Sequence, residues 1–189
     1  MVGALKVFQI AFGRTGTKSI AAGLRQCGFS VLDMRREKLN RTRLIRLWAE
    51  GLTSELMEFA SRYDVVEDHP WPFLYRELDA LYPEARFLYS TRSPESWLNS
   101  IVKHTAMRGP LEGKRLVFGA DTPVGHEAAY IDRFVSHRED VLRYFGDSSR
   151  FLEFDVTQPG AESLIGAFLG LTRFRLPQLN KSLPDTGVS

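Results

Sequence analysis

Leu5-Lys6-Val7-Phe8-Gln9-Ile10-Ala11-Phe12-Gly13-Arg14-Thr15-Gly16-Thr17-Lys18-Ser19-Ile20 changes character twice along its length. Leu5 to Phe12 is rich in apolar and β-branched residues, which predicts a buried strand. Gly13-Arg14-Thr15-Gly16 predicts a turn with two flexible positions. From Thr17 on, Ile20, Ala21, Ala22, Leu24 and Arg25 predict a helix. Strand, turn and helix N-terminus together suit an anion. The first N–H groups of a helix have no internal partner, and its dipole favours negative charge there. Thr15, Thr17 and Ser19 add hydroxyls, and Arg14 and Lys18 add positive charge. The stretch reads as a loop that cradles a phosphate, against the plainer reading of a βα turn without a ligand.

The common phosphate fingerprints fit only partly. The nucleotide-kinase pattern Gly-x-x-x-x-Gly-Lys-Ser/Thr fails, because Gly13 and Gly16 are too close and Thr17 separates Gly16 from Lys18. The dinucleotide pattern Gly-x-Gly-x-x-Gly lacks its first glycine. Asp33 nevertheless stands about 20 residues on, where that fold places its ribose-binding acid.

Bulk properties set the frame. A chain of 189 residues predicts one domain, spanning 1–189, with a substantial core. Its 43% hydrophobic and 25% charged residues are ordinary for a globular protein, and a net charge of +2 gives no reason to expect a nucleic-acid partner. Cys27 is the single cysteine, which excludes an internal disulfide and fits a reducing, cytoplasmic location. No apolar run reaches membrane-spanning length, and the N-terminus lacks a signal-peptide pattern.

Further along, Phe29 to Leu32 predicts a short second strand. Residues 35 to 46 carry Arg35, Arg36, Lys38, Arg41, Arg43 and Arg46 against Glu37 alone. This is either a solvated helix face or a positive rim that draws in an anion. Leu44, Leu47, Trp48, Leu52, Leu56 and Phe59 recur at helical spacing and predict one helix packed on the core. Tyr63 to Glu67 predicts a third strand, with Asp68-His69-Pro70 at its end. Ligands of open α/β sheets sit at carboxyl ends of strands. His69, an imidazole, suits a general base, with Asp68 as the other candidate; both also suit a helix start before Pro70. Trp71 is open between core and cleft wall.

Ala85 to Ser90 predicts a fourth strand. In the segment after it, Ser93 suits an N-cap and Pro94 the first helical position. Arg92 then stands at the strand end and Ser100 about two turns into the helix, where one anion can be shared between them. Trp97 on the other side predicts core. Residues 105–125 hold four glycines and two prolines and read as a mobile loop over an acceptor. Glu127 to Phe145 predicts a long helix, Phe151 to Phe154 a last strand, Ala161 to Leu169 a helix, and the rest an irregular tail.

With both motifs in view, the chain resembles the P-loop sulfotransferases that use 3′-phosphoadenosine 5′-phosphosulfate (PAPS). Arg14-Thr15-Gly16-Thr17 is similar to that family's first motif, a basic residue followed by Ser/Thr-Gly-Thr-Thr. Arg92, Pro94 and Ser100 are similar to its second. Asp68-His69-Pro70, Phe168-Leu169-Gly170, Pro177 and Asn180 resemble one bacterial and eukaryotic branch. Lys18 departs from the pattern, standing where the family has Thr or a small residue.

The resemblance implies a three-layer α/β domain with a central parallel sheet, P-loop NTPase-like in fold. It implies sulfuryl transfer from PAPS, leaving PAP, to a hydroxyl or amine of a small-molecule or glycan acceptor, without an obligatory metal. Arg14, Thr15, Gly16, Thr17, Lys18 and Ser19 would hold the 5′ phosphosulfate, with Arg14 also among the catalytic groups. Arg92 and Ser100 would hold the 3′-phosphate, and His69 or Asp68 would take the acceptor proton. Two rival readings remain. Lys18-Ser19 and the acidic run from Asp64 to Asp68 favour a nucleotide or small-molecule kinase using ATP and Mg²⁺; the other rival is a non-catalytic nucleotide-binding member.

Overall fold

A computed structural model describes residues 5–32, 40–109 and 111–177, and of Arg108 the backbone alone. Asp33, Arg35, Arg36, Lys38, Asn180 and Lys181 lie outside the described residues. The strands are β1 Val7–Gln9, β2 Val65–Val66, β3 Arg86–Ser90 and β4 Phe151–Phe154. The helices are α1 Thr17–Gln26, α2 Arg41–Ala49, α3 Thr53–Ser61, α4 Tyr75–Leu81, α5 Pro94–Arg108, α6 Glu112–Phe118, α7 Glu127–Phe145 and α8 Ala161–Leu169. Trp71–Leu74 forms a 3-10 turn before α4.

The four strands form one parallel sheet in the order β2-β1-β3-β4. Phe8 lies beside Val66 and Phe87, and Leu88 beside Leu152. Side chains alternate between the two faces. Phe8, Phe87 and Tyr89 pack against α2, α3, α4 and α7, through Leu44, Leu56, Leu78 and Val141. Val7, Val65 and Leu88 pack against α1 and α8, through Ile20, Leu24 and Ile165. This is the expected helix–sheet–helix sandwich. A third apolar cluster surrounds Phe12, just past β1, and draws on α2, α5, α6 and α7.

Several expectations change. The segment 29–32 contributes a single bridge, Val31 to Val65, rather than a strand. The one helix expected through Phe59 is two, α2 and α3, which part at Gly51 (φ 73°). A left-handed residue there reverses the chain, and glycine adopts it without a Cβ penalty. Residues 105–125 are not simply a loop. α5 runs on to Arg108, and α6 buries Val117 and Phe118. Trp71 is fully buried and belongs to the core, as does Trp97. In the irregular tail, Phe174 is buried against the α1–α8 face.

A parallel sheet places every strand's carboxyl end on one edge. Gly13 to Gly16, Glu67 to His69, Thr91-Arg92 and Asp155 therefore follow their strands on the same edge. No helix among the described residues is long and apolar enough to cross a membrane.

Candidate active site at the strand ends

The turn after β1 is braced from three sides. Thr15 is buried, and its hydroxyl donates to the Phe12 carbonyl at 2.8 Å. With that single proton committed, the Ser90 hydroxyl is the donor of the 2.7 Å bond between Ser90 and Thr15. Trp97 Nε1 donates to the Gly13 carbonyl at 3.0 Å, and Arg92 Nη1 donates to the Arg14 carbonyl at 3.0 Å. Thr15 thus works as an internal brace, whereas its hydroxyl was expected to face a ligand. α1 opens at Gly16 with no side-chain cap and no acid in its first turn, so its N-terminal positive charge is uncompensated from within. Gly16 has φ 102°, and a Cβ there would sit 2.7 Å from Val156 Cγ2. The turn thus requires glycine for conformation and for space.

Arg14 holds the left-handed conformation (φ 78°) and its Nε donates to Ser100 Oγ at 3.0 Å. Arg92 Nε donates to Ser96 Oγ at 2.9 Å. The sequence pairs Arg92 with Ser100. In the structure Ser96, one turn earlier on α5, takes Arg92, while Ser100 takes Arg14. The start of α5 explains this: Ser93 caps it, accepting from Ser96 N at 3.3 Å, and Pro94 opens it. Ser96 then lies in the first turn beside Arg92. Burial lowers the Arg92 pKa, and the neighbouring Arg14 charge lowers it further. Two cations brought together in this way suit an anion. A cleft of about 500 Å³ opens beside Arg92, lined by Ser93, Phe134, Arg138, Glu153 and Asp155 among others.

The segment after β2 supplies the acid–base groups. Asp68 (φ 70°) accepts from His69 N at 2.8 Å through Oδ1 and pairs with Arg41 at 2.6 Å through Oδ2. Burial opposes its ionisation, but Arg41, His69 and Lys18 outweigh that and hold the carboxyl well below the usual carboxylate range. His69 Nδ1 faces Asp68 Oδ1 at 3.4 Å, and His69 Nε2 is buried without a hydrogen-bond partner among the described residues. The His69 ring lies 4.9 Å from Phe12 and 5.4 Å from Phe73. Within the basic run, Arg41, Arg43 and Arg46 are ion-paired with Asp68, Glu55 and Glu112.

Two residues escape a reading of the sequence. His137 on α7 is buried, stacks on Phe12 at 4.5 Å, and donates from Nε2 to the Ile10 carbonyl at 2.7 Å. Burial pushes its pKa down to about 4, against the pull of the Ile10 carbonyl. Its spacing from Phe134 and Val141 puts it on the apolar stripe of α7, a signal present in the sequence. Glu67 is the second. It is buried at the end of β2, and Lys18 Nζ lies 2.7 Å from its Oε1.

A sequence profile described as a sulfotransferase domain matches residues 6–121, more than half of the chain. The "Ava biosynthesis cluster protein M" of Aspergillus versicolor is 31% identical over 109 residues, covering 51% of this chain and 42% of that protein. The aligned part therefore spans less than half of that relative's length. The profile covers the braced turn, the Asp68-His69 segment, β3 and α5, which the parallel α/β fold gathers at one sheet edge. The chain belongs to the sulfotransferase-domain family.

Proposed function

We propose that the chain transfers a sulfuryl group from PAPS to a hydroxyl or amine of a small-molecule or glycan acceptor. The observation that carries this is the meeting of the two motifs. Arg14 bonds Ser100, and Arg92 bonds the Arg14 carbonyl and Ser96, so two guanidinium groups and two serine hydroxyls meet at the loop that leads into α1. A doubly charged anion fits such a place. On this reading Arg14, Gly16, Thr17, Lys18 and Ser19 hold the 5′ phosphosulfate, with Thr15 bracing the loop from inside. Arg92 and Ser100 hold the 3′-phosphate, and the cleft beside Arg92 receives the nucleoside. The unpaired cysteine Cys27 supports a cytoplasmic setting in the same reading.

When bound, PAPS supplies the sulfuryl group, whose S–O bond to the nucleotide breaks as the bond to the acceptor forms. Asp68 is ill suited to collect the acceptor's proton, because Arg41 and His69 stabilise its anionic form. His69 is the better base. Its Nδ1 is turned to Asp68, which leaves the Nε2 lone pair to take the proton. A buried nitrogen without a partner is costly unless a ligand completes it, and an acceptor O–H or N–H would do so here. Arg14 and the first N–H groups of α1 stabilise charge on the departing oxygen.

The kinase reading draws on Lys18-Ser19 and on Glu67, the buried acid at the end of β2 that faces the start of α1 through Lys18. A hydroxyl after the loop and an acid on a neighbouring strand hold Mg²⁺ in P-loop nucleotide hydrolases. Turnover separates the readings. The wild type is expected to release PAP from PAPS in the presence of a phenol, alcohol or amine panel. His69→Ala should cut that rate about 10²–10⁴-fold with PAP affinity nearly unchanged. Undiminished turnover in His69→Ala removes the base assignment, and consumption of ATP with Mg²⁺ in place of PAPS removes the sulfotransferase reading.

A further inference from the structure

Glu67 and Lys18 are 49 residues apart and meet at the foot of the loop. Only 7% of the Glu67 side chain is exposed, against 60% for Lys18. One Glu67 oxygen carries the Lys18 ammonium at 2.7 Å, and Oε2 is buried without a partner among the described residues. Burial and the adjacent Asp68 push the Glu67 pKa up, while Lys18 pulls it down. A carboxylate in such a place needs a cation. In P-loop nucleotide hydrolases that cation is Mg²⁺, held between the loop hydroxyl and the strand-end acid. Here the strand-end acid is Glu67, and the cation on it, the Lys18 ammonium, belongs to the chain.

We propose that the Lys18 ammonium takes the place of a divalent cation at this loop, with Glu67 as the positioning residue that holds it there. The proposal rests on the nucleotide-binding reading of the loop. Lys18 lies in the first turn of α1, so an ammonium anchored on Glu67 stays within the anion site while remaining open to solvent. The pair contributes a tethered single charge at no cost in metal affinity. It also accounts for Lys18 at a position where the resemblance leads one to expect threonine or a small residue. A nucleotide carried as its Mg²⁺ complex meets an ammonium where its metal would sit, which turns the site toward metal-free anions.

PAP titrated by calorimetry into wild type, Lys18→Met, Lys18→Arg and Glu67→Gln, each with Mg²⁺ and with EDTA, tests this. Wild-type affinity and PAPS turnover should be the same in both media. Lys18→Met should weaken PAP by roughly 10- to 150-fold, the loss of one hydrogen bond to a charged group. Mg²⁺ should restore part of that loss, because the vacated Glu67 carboxylate then holds the metal; Lys18→Arg should restore part of it without metal. Glu67→Gln keeps the shape but removes the charge. It should bind PAP at least as tightly and turn over more slowly, a split that mere loss of packing does not produce. Unchanged PAP affinity in Lys18→Met, or a wild type whose affinity rises with Mg²⁺, overturns the proposal alone. A wild type that does not bind PAP overturns the proposal together with the reading beneath it.

Discussion

His137 shows how much one buried side chain decides. Its Nε2–H is tied to the Ile10 carbonyl, and its ring is stacked on Phe12, whose other neighbours include His69. Burial keeps it neutral, with a folded-state pKa of about 4 against 6.5 for the free side chain. Between those values the unfolded chain binds the extra proton, so stability rises with pH. The contribution is complete above about pH 6.5 and is lost as pH falls toward 4, by up to about 3 kcal/mol. His137→Gln keeps a donor for Ile10 and does not titrate. Urea unfolding of both proteins across this range should show their stabilities converging as pH falls. Parallel curves would contradict a neutral, buried His137. Gly16 carries a related lesson. Its role as a loop glycine is visible in the sequence, but the crowding by Val156, far along the chain, is not.

α6 is the element the sequence hides. Gly109, Pro110, Gly113, Gly119, Pro123 and Gly125 read locally as breakers. Gly109 and Gly119 stand at helix ends, where breakers belong, and Gly113 lies inside α6 where it crosses α2. A Cβ on Gly113 would sit 3.1 Å from Ile45 Cδ1, so the glycine serves helix packing rather than mobility. Phe118 ends the helix stacked on Tyr130 at 4.2 Å and edge-on to Phe12 at 5.8 Å. Phe118→Ala should therefore cost about 3–5 kcal/mol in denaturant unfolding. A side chain on a mobile loop would change stability by no more than about 0.5 kcal/mol. The elements that were legible include β1, β3, β4, α1, α7 and α8, whose apolar period runs through the whole element; Gly23 in α1 and Gly166 in α8 are single, buried glycines that leave that period intact. The α2–α3 break was missed because the period of Leu44, Leu47, Leu52 and Leu56 continues across Gly51 although the helix does not.

Across the whole molecule, the parallel sheet brings to one edge groups that the chain keeps far apart. Arg14 and Ser100 are 86 residues apart, and Arg92 and Arg14 are 78. The motifs and their order were legible, because each is a local pattern of strand, turn and helix cap. Their partners were not: Ser96 rather than Ser100 on Arg92, Glu67 on Lys18, and Arg41 on Asp68 follow from how helices cross the sheet edge. The assembled site makes a claim about a phosphate. On the proposed function, Arg92 contacts the 3′-phosphate that PAP carries and AMP lacks, and a hydrogen bond to a charged group is worth about 1.5–3 kcal/mol. Calorimetric titration of PAP and AMP into wild type and Arg92→Ala is the direct test. The wild type should prefer PAP by roughly 10- to 150-fold, and Arg92→Ala should lose that preference with AMP binding little changed. A wild type that binds AMP as tightly as PAP would contradict the account.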